Sequence, residues 1–436
     1  MLENEQNKSI IEKPIQLKNR QFLSFKHNNN LNIESSHLSV LSYNILAPST
    51  VEQYLYPNTE PKFLESTIRF DSVIKEIIYI NSDISFLQEL DYNQIESLTE
   101  KLKYQNYEII YNKKNSIEKN DGCGIIYKKD KFNKIGNWFC NLKMEANQNY
   151  GNEDLFSKEM YYPSIGQFLL LEDNKYNKKI LCVNTHLLFN KNKGHVKLAM
   201  LLLIFKIINI LKSQIAKVAS LIFSGDFNIV PNSMLYNWLS GNGINLSVDL
   251  REFSNQSFFM SLSDSRTPNE IALWSNKKYK NRNNGKNVVL NSFLLLLMNV
   301  VPIITNENQI IFDQNKNEKN VYLDPRNEAS KNFDEIINKL QICSCYSKFL
   351  SRPENNNYNN ESNNEALITH FTKDVRSATD YIWINKDSFK VKEILNIPEF
   401  GCFGNNEKIG LPNEIYPSDH LLISVKLDYK DDNEDI

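Results

Sequence analysis

The sequence predicts an α/β domain. Short apolar runs of strand length recur along the chain, and amphipathic or wholly apolar stretches of helical length lie between them. Nearly every strand-like run also ends in a cluster of Asn, Asp, Glu, Gln or His. Alternating strands and helices build sheets covered by helices. Polar side chains repeated at strand ends point to one site along a sheet edge, because a rigid scaffold holds reactive loops best. The 436 residues are 41% hydrophobic and 11% aromatic, enough for a large core and too much for a wholly disordered chain.

Residues 1–35 are rich in Asn, Lys and Glu and are expected to form a disordered extension. Residues 37–45 alternate as a strand. Residues 66–80 place Ile68, Val73, Ile74, Ile77 and Ile78 at helical spacing. Residues 84–87, 124–127, 180–183, 221–223, 381–384 and 421–427 read as further strands, and 196–211 as a helix buried in the core. Residues 254–365 break this rhythm: polar tracts at 277–287 and 355–364 flank an apolar island at 293–304. They read as a partly low-complexity insertion, dispensable for chemistry, within a catalytic domain spanning 36–430. Residues 431–436 form an acidic tail.

Charge and cysteine content narrow the classes. Lys+Arg 50 against Asp+Glu 52 leaves a net charge of -2, which excludes a uniformly basic nucleic-acid coat but not a local basic rim. The six cysteines form no CxxC pair, so a zinc knuckle or thioredoxin-like site is not expected. The polar N-terminus, with Glu3, Glu5 and Glu12, lacks an apolar signal core. The apolar stretches at 198–205 and 293–304 are too short to span a bilayer. The expectation is a soluble protein of the cytoplasm or nucleus, without a membrane partner.

The strand-end clusters carry the chemistry. They are Ser42–Leu46, Phe86–Leu90, Asn184–Leu187, Gly225–Asn228, and the pair Asp380–Ile382 and Ser418–His420. Carboxylate and amide oxygens are the hard donors that Mg²⁺ takes. Histidines among them can donate or move protons near neutral pH. No Ser or Cys stands beside a base as a nucleophile, so water is the expected attacking group. Each residue also has an ordinary reading. Glu89 alone suits a helix cap, Asn44 a turn, Asp226 and Asn228 an Asx turn, His186 a core position, and Arg69 a surface. Asp380 and His420 each border a strand, and a carboxylate bonded to an imidazole fixes its tautomer; we pair them.

At these residues the sequence resembles the endonuclease/exonuclease/phosphatase superfamily, and within it the branch of carbon-catabolite-repressor-type deadenylases, nocturnin, angel and the 2′,5′-phosphodiesterases. LSYNILA at 41–47, DGCGIIY at 121–127, and YPSDH at 416–420 after Leu411-Pro412-Asn413 mark the branch; the resemblance covers about 36–253 and 366–430. It implies a DNase I-like two-sheet α/β sandwich and a metal cofactor, Mg²⁺ with Mn²⁺ as an alternative. The implied activity is phosphodiester hydrolysis by a 3′→5′ RNA exonuclease or deadenylase. A 2′-phosphatase or 2′,5′-phosphodiesterase acting on a nucleotide is the alternative, and a catalytically silent RNA-binding scaffold a third reading. By the same resemblance Glu89 is the main metal ligand, with Asn44 beside it and Asp226 and Asn228 placing metal and water. His186 donates to the scissile phosphate, and Asp419 faces the nucleophile or a second metal. Arg69, Lys191, Lys197, Phe189 and Phe371 are the substrate-binding candidates. Val375 and Lys191 stand where the poly(A)-specific members place a base clamp, so adenine preference is not expected. Lys128, Lys129, Lys131 and Lys134 join Lys191, Lys193 and Lys197 as a candidate positive rim.

Overall fold

The strands in chain order are β1 (Phe22–Ser24), β2 (Leu38–Asn44), β3 (Ile84–Asp91), β4 (Tyr107–Lys113), β5 (Asp121–Lys128), β6 (Phe132–Asn141), β7 (Ile165–Asp173), β8 (Lys179–His186) and β9 (Ser220–Asp226). There follow β10 (Val300–Ile304), β11 (Gln309–Gln314), β12 (Ile342–Ser344), β13 (His370–Phe371), β14 (Arg376–Ser377), β15 (Asp380–Asn385), β16 (Phe389–Leu395) and β17 (Ile423–Tyr429). The structure, a computed structural model, describes residues 13–24, 37–143, 160–217, 219–231, 233–246, 300–305, 307–314, 325–351, 364–372, 375–398 and 410–430. One sheet has the order β1-β16-β17-β2-β3-β5-β4 and the other β10-β11-β6-β7-β8-β9-β15-β12, with β13-β14 a separate short hairpin. Both large sheets mix parallel and antiparallel pairs, and the fold is the expected two-sheet α/β sandwich.

Each sheet is centred on a parallel pair, and a parallel pair needs a crossover. Helix α1 (Ser66–Ile80) joins β2 to β3. After the short α2 (Ile95–Leu102), helix α3 (Gly194–Gln214) joins β8 to β9. These connections put the C-terminal ends of all four strands at one edge of the sandwich. Antiparallel β15 begins there with Asp380 opposite Asp226, and β17 begins there just after His420. The expected convergence of polar strand ends thus follows from topology.

The main core fills the space between the sheets and extends around α3. A second core, with Leu41, Tyr43, Leu87 and Leu90 from the outer face of the first sheet, is covered by α1 and α2. A polar tie crosses between the sheets: Gln88 Nε2 donates to Asn184 Oδ1 at 2.8 Å, and Asn184 Nδ2 donates to the carbonyls of Leu87 and Gly124 at 3.0 Å each. Helix α1 has the predicted bounds but a different inner face. Val73, Ile74 and Ile77 are buried, whereas Ile68 is 49% exposed and Phe70 and Arg69 turn inward instead. Strands β1, β4, β6, β7, β10–β14 and β16 are additional to those read from the sequence.

Two boundaries need correction. Residues 13–24 are ordered, not a disordered extension: β1 pairs with β16, Leu17 joins the second core, and buried Arg20 donates to the carbonyls of Asn396 and Leu422 at 2.9 and 2.7 Å. The second concerns 254–365. Helix α3 is long and apolar enough to cross a membrane by length and composition, but it is largely buried here. A helix apolar on all sides needs cover on all sides. Strand β10 and helix α5 (Pro325–Leu340), which follows the short α4 (Met234–Leu239), pack against it. Ala329, Phe333 and Ile337 of α5, and Tyr346 and Phe349 of α6 (Cys345–Leu350), belong to the main core. The tracts at 277–287 and 355–363 and the acidic tail lie outside the described residues. Replacing 281–364 with a short Gly/Ser linker is therefore expected to yield an insoluble or unfolded chain, read by yield and circular dichroism; a folded, soluble product would refute this role.

Candidate active site

Each strand end delivers one part. Asn44 ends β2, and its Nδ2 donates to Glu89 Oε1 at 3.2 Å and to Asp226 Oδ2 at 3.0 Å. Glu89 stands at a bulge in β3: Gln88 pairs with Cys123 and Leu90 with Gly122, leaving Glu89 as the extra residue, at φ 56°. A bulge re-aims one side chain out of the pleat, and here it turns the carboxylate over the strand ends. Its other oxygen accepts from Ala47 N at 3.0 Å and Thr50 Oγ1 at 2.7 Å. Asp226 ends β9, and its Oδ1 accepts from Asn228 N at 3.0 Å. Asn228, at φ 50°, donates from Nδ2 to the Leu187 carbonyl at 3.0 Å and to Asp226 Oδ2 at 3.3 Å.

Two histidines face this carboxylate pair in opposite electrostatic settings. His186 Nε2 lies 3.4 Å from Asp226 Oδ2 and 3.9 Å from Glu89 Oε1. Burial, then the Lys114 ammonium, push the His186 imidazole down to about 3. His420 Nδ1 meets Asp380 Oδ2 at 2.9 Å, and its Nε2 lies 3.7 Å from Asp226 Oδ2. Burial alone would lower His420, but Asp380 and Asp226 outweigh it and raise the imidazole from 6.5 to about 10. Thr369 Oγ1 donates to the same Asp380 oxygen at 2.6 Å and fixes the carboxylate. Burial likewise works against ionised Asp419, yet His370, His420 and Tyr56 hold its carboxyl well below the usual range. Tyr56 donates to it at 2.9 Å. His370 stacks on His420 with ring centroids 3.9 Å apart and planes 18° from parallel.

The donor set fits a hard divalent cation. Glu89 Oε1 and Asp226 Oδ2 converge on one amide nitrogen, and carboxylate oxygens are what Mg²⁺ or Mn²⁺ takes. The expected ligand set is narrower, however. The Asn44 oxygen is committed to Leu46 N at 3.1 Å, and both Asn44 and Asn228 turn their N–H₂ groups to the carboxylates. These amides orient Glu89 and Asp226, and the two carboxylates would hold the metal.

A cleft of about 270 Å³ opens over these groups, lined by Glu89, Lys114, His186, Asp226, Asn228, Asp419 and His420 together with Tyr56, Phe189 and His370. Most of the expected substrate contacts lie elsewhere. Arg69 is buried behind the site and donates to the carbonyls of Ile45, Leu46 and Pro417, tying two site loops together. Lys197 is fully buried and donates to the Asn228 carbonyl at 2.6 Å, supporting the floor from below. Lys191 is exposed and outside the cleft lining. Phe371 is fully buried, with Arg376 over its ring, and Val375 is buried too. Lys128 and Lys131 pair with Asp83, and Lys134 pairs with Glu108. Asp83 lies before β3, so Lys128 and Lys131 sit at its far end, about 20 Å from Glu89 at the usual rise per residue. They form no rim at the site.

Phe189 is the expected aromatic that does reach the cleft, 57% exposed. Phe189→Ala should raise KM roughly tenfold, within the range of one lost base stack, while melting is unchanged. Steady-state kinetics and thermal denaturation check both, and an unchanged KM would remove Phe189 from the substrate site. The sequence reading missed Lys114, Thr50, Tyr56 and His370. Their only sequence signal is proximity to a motif: Thr50 and Tyr56 follow LSYNILA, and Lys114 precedes DGCGIIY.

The sequence pattern of the Endonuclease/Exonuclease/phosphatase family matches residues 41–420. Carbon catabolite repressor protein 4 homolog 3 of Arabidopsis thaliana is 31% identical over 224 residues, covering 50% of this chain and 46% of that protein. Protein angel homolog 2 of Danio rerio is 30% identical over 208 residues, covering 46% of this chain and 35% of its own length. The chain thus spans less than half the length of either relative. Among solved structures, ANGEL2, a 2′,3′-cyclic phosphatase, in complex with adenosine-2′,3′-vanadate has a TM-score of 0.64 at 22% identity, covering 94% of this chain and 98% of that one. The human nocturnin catalytic domain with bound sulfate has a TM-score of 0.50 at 16% identity, covering 96% and 100%. These two structures share the fold, and the relatives fall in the branch that the strand-end motifs resemble. The family match spans every strand-end cluster from Asn44 to His420, and the chain belongs to the endonuclease/exonuclease/phosphatase family, whose members hydrolyse phosphoesters.

Proposed function

We propose that this chain is a divalent-metal-dependent hydrolase acting on the 3′-terminal ribonucleotide of RNA, in the manner of a 3′→5′ exonuclease. The observation that carries the reading is the cleft over the paired carboxylates. At about 270 Å³ it sits at the small end of ligand pockets, suited to a single terminal unit. Exposed Phe189 at its wall offers a face for one base. When bound at Glu89 and Asp226, the metal would supply positive charge to the phosphoryl group. Asn44 and Asn228 keep the two carboxylates oriented. His186 and His420 face the same point and stabilise negative charge developing on the phosphate, an effect that preorganised donors supply best. With its imidazole raised to about 10 by Asp380 and Asp226, His420 acts as a charged donor. Asp226 is then the candidate acceptor for a proton from the attacking water. Placement in the cytoplasm or nucleus and a part in mRNA decay belong to the same reading.

A second reading is removal of a terminal phosphate, either 2′,3′-cyclic or 2′-linked, without strand degradation. The position of the lysines favours it: Lys128 and Lys131 are paired at the far end of β3, so they make no track for a long backbone beside the cleft. The similarity to ANGEL2, a 2′,3′-cyclic phosphatase, supports it too. One experiment separates them. RNA labelled at its 5′ end and finished with a 3′-hydroxyl, a 2′-phosphate or a 2′,3′-cyclic phosphate is incubated with the chain in Mg²⁺, Mn²⁺ or chelator. Metal-dependent shortening with mononucleotide release supports the exonuclease. Terminal phosphate turnover at constant RNA length supports the phosphatase. Turnover that survives chelator would sink both.

A further inference from the structure

Lys114 lies in the loop between β4 and β5, outside every strand-end motif, yet its side chain reaches the site. Its Nζ is 2.6 Å from Asp121 Oδ2 and 3.0 Å from His186 Nδ1. The loop is held close by the Lys114 N–H, which donates to the Asp121 carbonyl at 3.1 Å. Asp121 is buried, and its Oδ1 finds no partner among the described residues, so the ammonium is the charge that balances it. An ammonium carries donors only, and an imidazole nitrogen bonded to it must accept.

We propose that Lys114 is a positioning residue for the reaction: anchored on Asp121, it donates to Nδ1 of His186 and so fixes the tautomer that carries the proton on Nε2. That proton then points to the place where Asp226 Oδ2 and Glu89 Oε1 converge, 3.4 and 3.9 Å away. The other histidine supplies the contrast. At His420 the Nδ1 partner is the Asp380 carboxylate, an acceptor, so Nδ1 there keeps its proton. The two histidines thus differ in whether Nδ1 carries the proton, each set by the partner of that atom. The outer partner of a site histidine fixes both the tautomer and the ring orientation.

The kinetic arm of the test rests on the hydrolase reading; the spectroscopic arm does not. The full chain is labelled with ¹⁵N at its six histidines, and His186→Gln identifies the His186 signals. The expected wild-type pattern is a neutral ring protonated at Nε2. The Lys114→Met/Asp121→Asn double variant removes the ammonium without leaving a buried carboxylate unpaired, and should lose this fixed pattern. Its kcat should fall roughly 10²-fold, the scale of a misdirected proton-transfer group, with KM within about twofold. Lys114→Arg, which keeps a cationic donor, should recover the tautomer and much of the rate. A wild-type His186 protonated at Nδ1, or a double variant with unchanged tautomer and kcat, overturns the proposal. A raised KM with unchanged kcat also overturns it, since Lys114 would then hold substrate. Absence of turnover in the wild type would count against the hydrolase reading alone, and the ¹⁵N pattern would still decide the role of Lys114.

Discussion

Glu89→Gln is expected to lower kcat by about 10³-fold or more, since weaker metal binding forfeits several kcal/mol of charge stabilisation. The fold should not notice. A glutamine oxygen can still accept from Ala47 N and Thr50 Oγ1, so the bulge keeps its hydrogen bonds. The lost charge lies beside Asp226, so its removal also relieves like-charge repulsion. The melting temperature should stay within about 2 °C. Titration of activity with Mg²⁺, alongside a melting curve, checks both halves. Near-normal activity at the Mg²⁺ concentration that just saturates the wild type would mean that the metal is not held by Glu89.

Asp380→Asn and His420→Ala should each cut kcat by roughly 10²-fold, and the double variant by about the same factor, because residues acting as a unit are not additive. Factors that multiply would break the pair apart. The pH profile gives a second reading. With Asp380 present, the His420 imidazole is raised from 6.5 to about 10. A raised imidazole contributes stability that is fully present below about pH 6.5 and lost as pH rises through about 10. The activity that depends on its charge should follow the same limb. In Asp380→Asn, burial is opposed only by weaker partners, so the alkaline fall of kcat/KM should move toward neutral pH. A limb that stays in place would show that His420 is not the charged donor.

The strand-end residues were legible in the sequence because a strand ending in Asn, Glu, His or Asp can only present them at the sheet edge, and the topology gathers four such ends. Asp380 and His420 were legible for the same reason, since both stand where strands β15 and β17 begin. Which way a residue faces was harder to read. His370 and Phe371 are neighbours on a strand, so they point to opposite sides: the histidine lines the cleft and the phenylalanine is buried. A composition-based search for an aromatic base platform chooses the wrong one. Lys197 carried its own warning, standing at the start of the run VKLAMLLLIF, where every neighbour is apolar. Lys114 carried only its nearness to DGCGIIY, because a lysine in a polar loop looks like any solvated lysine until Asp121 and His186 close around it.

The bulge in β3 has a consequence for how such a chain tolerates insertions and deletions. Gln88 faces the polar tie between the sheets, while Leu87 and Leu90 both belong to the outer core. Two leucines three residues apart can share a face of a strand only if one residue between them is not counted. Removing Glu89 from the chain would bring Gln88↔Cys123 and Leu90↔Gly122 into unbroken succession and leave every other side chain on its present side. The deletion would turn a bulged ladder into a regular one. The residue proposed to hold the metal is the one residue the sheet has no need of, so deletion of a single codon would exchange that carboxylate for a better-formed strand.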